Sequence, residues 1–345
     1  MNLTTTYMGL CLRNPLVASA SPLNSELANL RALEDAGAAA IVLPSMFAEQ
    51  IEAEEQRHAA LTAVGALSSP EAASYFPPRH LNSSGADRYL ALIRSARQAV
   101  DIPIIASLNA DSPASWTAYA SQVQEAGASA LELNLYVLAT DLTTTSAEVE
   151  RRCLDTVRAV RQRVSIPVSV KIGPYFSAMG AMAAELGEAG ADALVLFNRF
   201  YQPDIDVVRL KVLKDLDLSR SSEMRLPLLW LGVLHGRIKP SLAASTGVHT
   251  VDDVVKYLLA GADVVMSTSA LLAQGIGHMR VLVDGLAQWL ERRDMDSVDR
   301  IRGLLSQGRI SHPQDYERAN YIEILQGYPA QPVAGSAARP ADRVK

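Results

Sequence analysis

Short apolar runs alternate with amphipathic stretches along most of the chain, and one small signature punctuates them. Gly37-Ala38-Ala39-Ala40-Ile41-Val42 returns as Gly127-Ala128-Ser129-Ala130-Leu131-Glu132, then as Gly190-Ala191-Asp192-Ala193-Leu194-Val195 and Gly261-Ala262-Asp263-Val264-Val265-Met266. Each copy closes a stretch with helical spacing, such as Leu27 to Ala36 or Val251 to Ala260, and opens a short apolar run. Glycine suits the end of a helix, where a left-handed conformation is needed. A second signature, Ile102-Pro103-Ile104 and Ile166-Pro167-Val168, also begins strands, and Lys239-Pro240-Ser241 is a looser copy. Proline is tolerated at the first residue of a strand.

Eight runs read as strands: 15–20, 40–45, 103–108, 130–135, 168–172, 193–198, 240–246 and 263–267. Helical patterns separate them, which means parallel βα units. Eight units predict an α/β fold of the TIM (β/α)8 barrel type rather than an open doubly wound sheet. No GxGxxG follows the first strand, which weakens a dinucleotide-binding reading. Three departures from a bare barrel are predicted. Residues 1–13 alternate around Met8-Gly9 as a hairpin at the barrel bottom. Residues 46–86 form a long insertion after strand 2, helical over Phe47 to Val64 and then a loop, SYFPPRHLNSSG. Residues 326–345, rich in Pro, Ala and Gly, read as a disordered tail after a single domain over 1–325.

Composition narrows the partners. The net charge of −5 argues against nucleic acid. No apolar run reaches the roughly 18 residues a membrane span needs. The first residues carry no basic region followed by an apolar core, so the expected compartment is the cytoplasm. Cys11 and Cys153 have no metal-ligand or redox spacing, the six histidines show none either, and no metal site is expected.

In such barrels the chemistry sits at the C-terminal ends of the strands. Those ends read Ser19-Ala20-Ser21, Pro44-Ser45, Ser107-Leu108-Asn109, Glu132-Leu133-Asn134, Lys171, Asn198-Arg199, Ser245-Thr246-Gly247 and Ser267-Thr268-Ser269. Asn109, Asn134 and Asn198 can each donate and accept. Lys171 at a barrel mouth is costly to bury unless it meets an anion or a reacting group. Thr246-Gly247 and Thr268-Ser269 have the make-up of a phosphate cradle after strands 7 and 8.

At these residues the chain resembles the dihydroorotate dehydrogenase family of FMN-dependent barrels, closest to its divergent, dihydroorotate dehydrogenase-like branch. The resemblance runs from about Leu3 to Gly275. It is carried by Leu12-Arg13-Asn14-Pro15-Leu16-Val17-Ala18-Ser19-Ala20, Glu132-Leu133-Asn134-Leu135, Val170-Lys171-Ile172 and Leu258-Leu259-Ala260-Gly261-Ala262-Asp263. It implies an oxidoreductase of CH–CH bonds with FMN as cofactor, a small-molecule substrate of pyrimidine biosynthesis, and a homodimer with an electron-transfer partner. It implies that Ser19, Ala20 and Ser21 pack on the flavin ring with Ser45 beside it. Asn109, Asn134 and Asn198 would bond flavin or substrate, and Lys171 would stabilise negative charge at the pyrimidine edge. Thr246, Gly247, Thr268 and Ser269 would hold the phosphate. Asn82 is the candidate for the substrate-loop asparagine. Lys171 and Asn134 are the candidate catalytic residues.

The departures fall on proton transfer. Where the family reads Asn-Leu-Ser-Cys-Pro-Asn, this chain reads Asn134-Leu135-Tyr136-Val137-Leu138-Ala139. The family's lysine after strand 2 is Pro44. The family's glycine pair after strand 7 is Thr246-Gly247 and its Gly-Thr after strand 8 is Thr268-Ser269, bulkier residues at the phosphate. The expectation is an intact fold with weak or absent dihydroorotate oxidation, FMN retention being left open. Two alternatives stay open: a Schiff-base lyase acting through Lys171 on a phosphorylated substrate, and a non-catalytic or partner-subunit member of the family.

Overall fold

The computed structural model describes residues 1–47, 85–109, 113–199, 202–213 and 217–317. Most of the insertion after strand 2, with Asn82, and the tail expected from residue 326 lie outside the described residues.

The described elements follow the predicted alternation. A hairpin, β1 (Thr5–Tyr7) and β2 (Leu10–Leu12), precedes β3 (Leu16–Ala18), α1 (Leu27–Asp35), β4 (Ala40–Phe47) and α2 (Gly85–Ala99). Then come β5 (Ile104–Asn109), α3 (Pro113–Glu125), β6 (Ala130–Asn134), α4 (Ser146–Arg161), β7 (Val168–Ile172), α5 (Met179–Glu188) and β8 (Ala193–Leu196). After a second hairpin, β9 (Asp204–Asp206) and β10 (Lys211–Leu213), follow α6 (Arg225–Leu234), β11 (Ser241–Ala244), α7 (Val251–Ala260), β12 (Val264–Ser267), α8 (Ser269–Gln274) and α9 (His278–Glu291). β3, β4, β5, β6, β7, β8, β11 and β12 close in that order into a parallel barrel. These are the eight predicted strands. The repeat glycines Gly37, Gly127, Gly190 and Gly261 all take positive φ, between 95° and 120°, ending one helix as the next strand begins.

Strand parity divides the barrel. Leu131, Leu133, Val168, Val170 and Ile172 face the helices in the main core, while Ala130, Ala193, Val195 and Ala243 face inward in a second, smaller cluster. The first hairpin seals the N-terminal end of that inner cluster with Tyr7, Met8 and Leu12. Met8 and Gly9 both have positive φ, which matches the tight turn favoured between twisted strands. The Thr5 hydroxyl donates to the Asp263 carbonyl at 2.9 Å, and the Met8 N–H donates to Ser241 Oγ at 3.2 Å, at the starts of β12 and β11.

Two features go beyond the expected barrel. The β9–β10 hairpin leaves Ile205, Val207, Val208, Leu210 and Val212 exposed. Three residues per strand are too few for an alternation pattern to announce them. In β4 the register slips: Val42 pairs with Ile105, but Ser45 pairs with Ser107, so three steps on β4 match two on β5. Pro44 sits in this bulge, where its missing N–H costs no ladder bond. The extra residue reverses the parity, so Ser45 turns into the barrel while Met46 joins the outer core.

Candidate active site

A cleft of about 250 Å³ opens at the C-terminal end of the barrel. It is lined by Ser19, Ala20 and Ser21 after β3, by Lys171 in β7, by Asn198 after β8, and by Thr246, Gly247, Thr268 and Ser269 after the neighbouring strands β11 and β12. Nine of the residues picked out from strand ends thus meet in one cavity. Asn134 and Ser45 join them through hydrogen bonds. Asn198 Nδ2 donates to Asn134 Oδ1, and Asn134 Nδ2 donates to Ser45 Oγ at 3.4 Å. Asn109 does not line the cleft; it is buried at the end of β5, paired with Phe47.

The wall after β11 is tightly held. Thr246 has φ +76°, a conformation that costs a β-branched residue energy, and surrounding bonds fix it there. Its hydroxyl donates to the Phe197 carbonyl at 3.2 Å, where Ser245 Oγ also donates at 2.7 Å. Its own carbonyl accepts from the Tyr257 hydroxyl at 2.7 Å. The threonine side chain is therefore tied back against β8.

Residues 217–224 fold over the same wall, an arrangement no strand-end reading announces. Ser219 Oγ accepts the Gly247 N–H at 3.2 Å and donates to Ser269 Oγ at 2.9 Å. Asp253, in the first turn of α7, accepts from the Ser221 hydroxyl and from the His249 and Thr250 amides. Burial raises its pKa, but those bonds outweigh it and hold the carboxyl below the ordinary range. Arg199 is bound to Glu223 at 3.1 Å and to the Asp217 carbonyl, which anchors the segment to the end of β8. Gly247, at φ +73°, lies so close beneath it that a Cβ would come within 2.8 Å of the Arg220 carbonyl oxygen. Gly247→Ala is expected to cost roughly 1–3 kcal/mol in chemical unfolding, as strained backbone does, and to displace residues 217–224 from the cleft.

The polar groups left open here suit an anionic cofactor. Thr268 Oγ1 is buried in the cleft wall with no hydrogen-bond partner among the described residues. An unsatisfied buried hydroxyl is uncommon and calls for an acceptor. Lys171 offers a cation across the cavity, and Ser19 to Ser21 offer a small-residue surface on which a planar ring can lie.

Below the mouth sits a carboxylic acid whose inward orientation follows from β6 parity. Glu132 is fully buried between Ser107 on β5 and Ser169 on β7. Burial raises its pKa above the ordinary carboxylate range, and the Lys171 charge and the Ser107 hydroxyl offset that only in part. The loop that follows, Leu135 to Asp141, is open to solvent at Leu138 and Ala139 and places neither an acid nor a base at Val137 to Ala139.

Comparison with known proteins agrees with this architecture. The sequence model of the dihydroorotate dehydrogenase family matches residues 2–290. A putative dihydroorotate dehydrogenase A (fumarate) of Aeropyrum pernix is 28% identical over 309 residues, 87% of this chain and 96% of that protein. The catalytic subunit of dihydroorotate dehydrogenase B (NAD(+)) of Thermoplasma acidophilum is 26% identical over 88% of this chain and 98% of its own length. The PreA subunit of the NAD-dependent dihydropyrimidine dehydrogenase of Escherichia coli K12 is 23% identical over 67% of this chain and 60% of its length. With a closed eight-stranded barrel, a cleft at its C-terminal mouth and a family match across most of its length, the chain belongs to the dihydroorotate dehydrogenase family.

Proposed function

We propose that this chain is an FMN-dependent oxidoreductase acting on a CH–CH bond, with a substrate other than dihydroorotate. The observation that carries the reading is the cleft itself, lined by Lys171 and Asn198 and by the residues after β11 and β12, with a Thr268 hydroxyl that has no hydrogen-bond partner among the described residues. In this reading Thr246, Gly247, Thr268 and Ser269 hold the phosphate, and Ser19 to Ser21 support the ring. Lys171 faces the pyrimidine edge, and the Asn198–Asn134–Ser45 row faces the substrate. Bound FMN would supply hydride transfer; the protein supplies orientation, charge and protons.

The relatives named as catalytic subunits support a partner protein for electron transfer, alongside the expected homodimer. Among the described residues no helix is long and apolar enough to cross a membrane. The test is the visible absorption of the full-length protein as purified and after incubation with FMN. A flavin spectrum is expected, with quenched flavin fluorescence on titration. A colourless protein that leaves FMN fluorescence unchanged overturns the reading.

A further inference from the structure

Glu132 is a buried acid that flavin binding alone does not use. Its Oε1 accepts from Ser107 Oγ at 3.5 Å, and its Oε2 has no hydrogen-bond partner among the described residues. Tyr7, rising from the N-terminal hairpin, buries its hydroxyl close to Ser169, and burial together with the Glu132 charge disfavours its ionised form. The remaining groups around the acid are Ser169 and Lys171 on β7 and Tyr89 on α2. Tyr89 holds Ser107 in place: its hydroxyl accepts the Ser107 N–H at 2.8 Å and donates to the Ser107 carbonyl at 3.1 Å. A carboxyl in such surroundings keeps its proton more readily than a solvated one.

From this acid a row of exchangeable protons leads upward. Ser107 Oγ and Ser45 Oγ are 2.8 Å apart, and either can donate. Ser45 is only partly buried, and Asn134 ties it to Asn198 at the cleft. The β4 bulge puts Ser45 here, since regular alternation would have turned it outward.

We infer that Glu132, Ser107 and Ser45 form a proton-delivery row, with Ser45 protonating one carbon of a substrate carbon–carbon double bond at the barrel mouth. This rests on the flavin reading of the site. The O–H bond of Glu132 breaks and its proton moves to Ser107 Oγ. Ser107 passes its own proton to Ser45, and Ser45 passes its own to the substrate carbon. The π pair of the double bond forms the new C–H bond, and reduced flavin, when bound, would supply the hydride that the adjacent carbon needs. The carboxylate left inside faces the charge of Lys171. The reaction class is thus reduction of an activated alkene, with oxidation as its reverse.

Infrared spectroscopy of the full-length protein tests this without flavin. A protonated carboxylic acid band is expected at neutral pH and is lost in Glu132→Gln. In D2O the band shifts as its proton exchanges, and Ser45→Ala and Ser107→Ala are expected to slow that shift by roughly tenfold, the rate equivalent of one lost hydrogen-bonded link. Exchange as fast in both serine variants as in the parent overturns the row. So does a Glu132→Gln spectrum identical to the parent's. If Glu132→Gln fails to fold, the serine variants report through the band itself, and its absence from the parent counts against the proposal. Failure to bind FMN is read separately, by visible absorption, and overturns the site reading without altering these spectra.

Discussion

Oxidation of dihydroorotate by this chain is expected to run about 10²–10⁴-fold below that of a family member that keeps the cysteine after the fourth barrel strand, the range a general base contributes. The measurement is steady-state turnover of both proteins, each loaded with FMN, with one electron acceptor. The reason lies between Leu135 and Asp141. Val137 packs on the core and Ala139 faces solvent; neither can take a proton or bind a carboxylate. The inferred proton row does not restore the activity, because it emerges at Ser45 on β4 rather than on this loop. A substrate whose proton must leave toward Val137 to Ala139 finds no acceptor in those side chains. Turnover equal to that of the cysteine-bearing relative would show that the loop is not where the chemistry was lost.

The barrel was legible because its cause is periodic. Every βα unit repeats one solution: a glycine at positive φ, a small residue, then an apolar strand. Four near-copies suffice to set the rhythm. Most strand-end residues were legible for the same reason, since the end of a strand follows from its beginning. What stayed hidden has a physical reason in each case. Asn109 shares the inward parity of Ser107, yet it is buried and does not line the cleft, which position at a strand end does not by itself decide. Ser45 faces inward only through the bulge at Pro44, and a one-residue slip reverses parity without changing composition. Ser219 reaches the cleft from a segment with no periodicity. Glu132 was visible as a polar residue in an apolar strand. Its meaning required its neighbours: a serine on each side, and an oxygen with no hydrogen-bond partner among the described residues.

Lys171→Met is expected to lower the rate of the flavin-dependent step by about 10²–10³-fold, or about 2.7–4 kcal/mol, the loss typical when one group stabilising developing charge is removed. The oxidised cofactor carries no added charge on its ring, so its binding should change much less than its reduction. The same loss lowers the two-electron midpoint potential by about 60 mV or more, at roughly 30 mV per 1.4 kcal/mol. Methionine keeps the length and apolar stem of the side chain, so the cleft wall is preserved. Spectroelectrochemical titration and FMN affinity, measured together, separate this electrostatic role from a packing role, which would weaken binding and leave the potential in place. Glu132 supplies an independent readout. The Lys171 charge favours its carboxylate, so removing that charge raises the folded-state pKa further. A carboxyl whose pKa is higher folded than unfolded contributes stability that is complete below its unfolded pKa and is lost as pH rises through the folded value. In Lys171→Met that loss should extend to higher pH than in the parent, and in Glu132→Gln it should be absent. A lysine serving instead as a Schiff-base nucleophile would be trapped on substrate by borohydride, and its substitution would leave the potential of bound FMN unmoved.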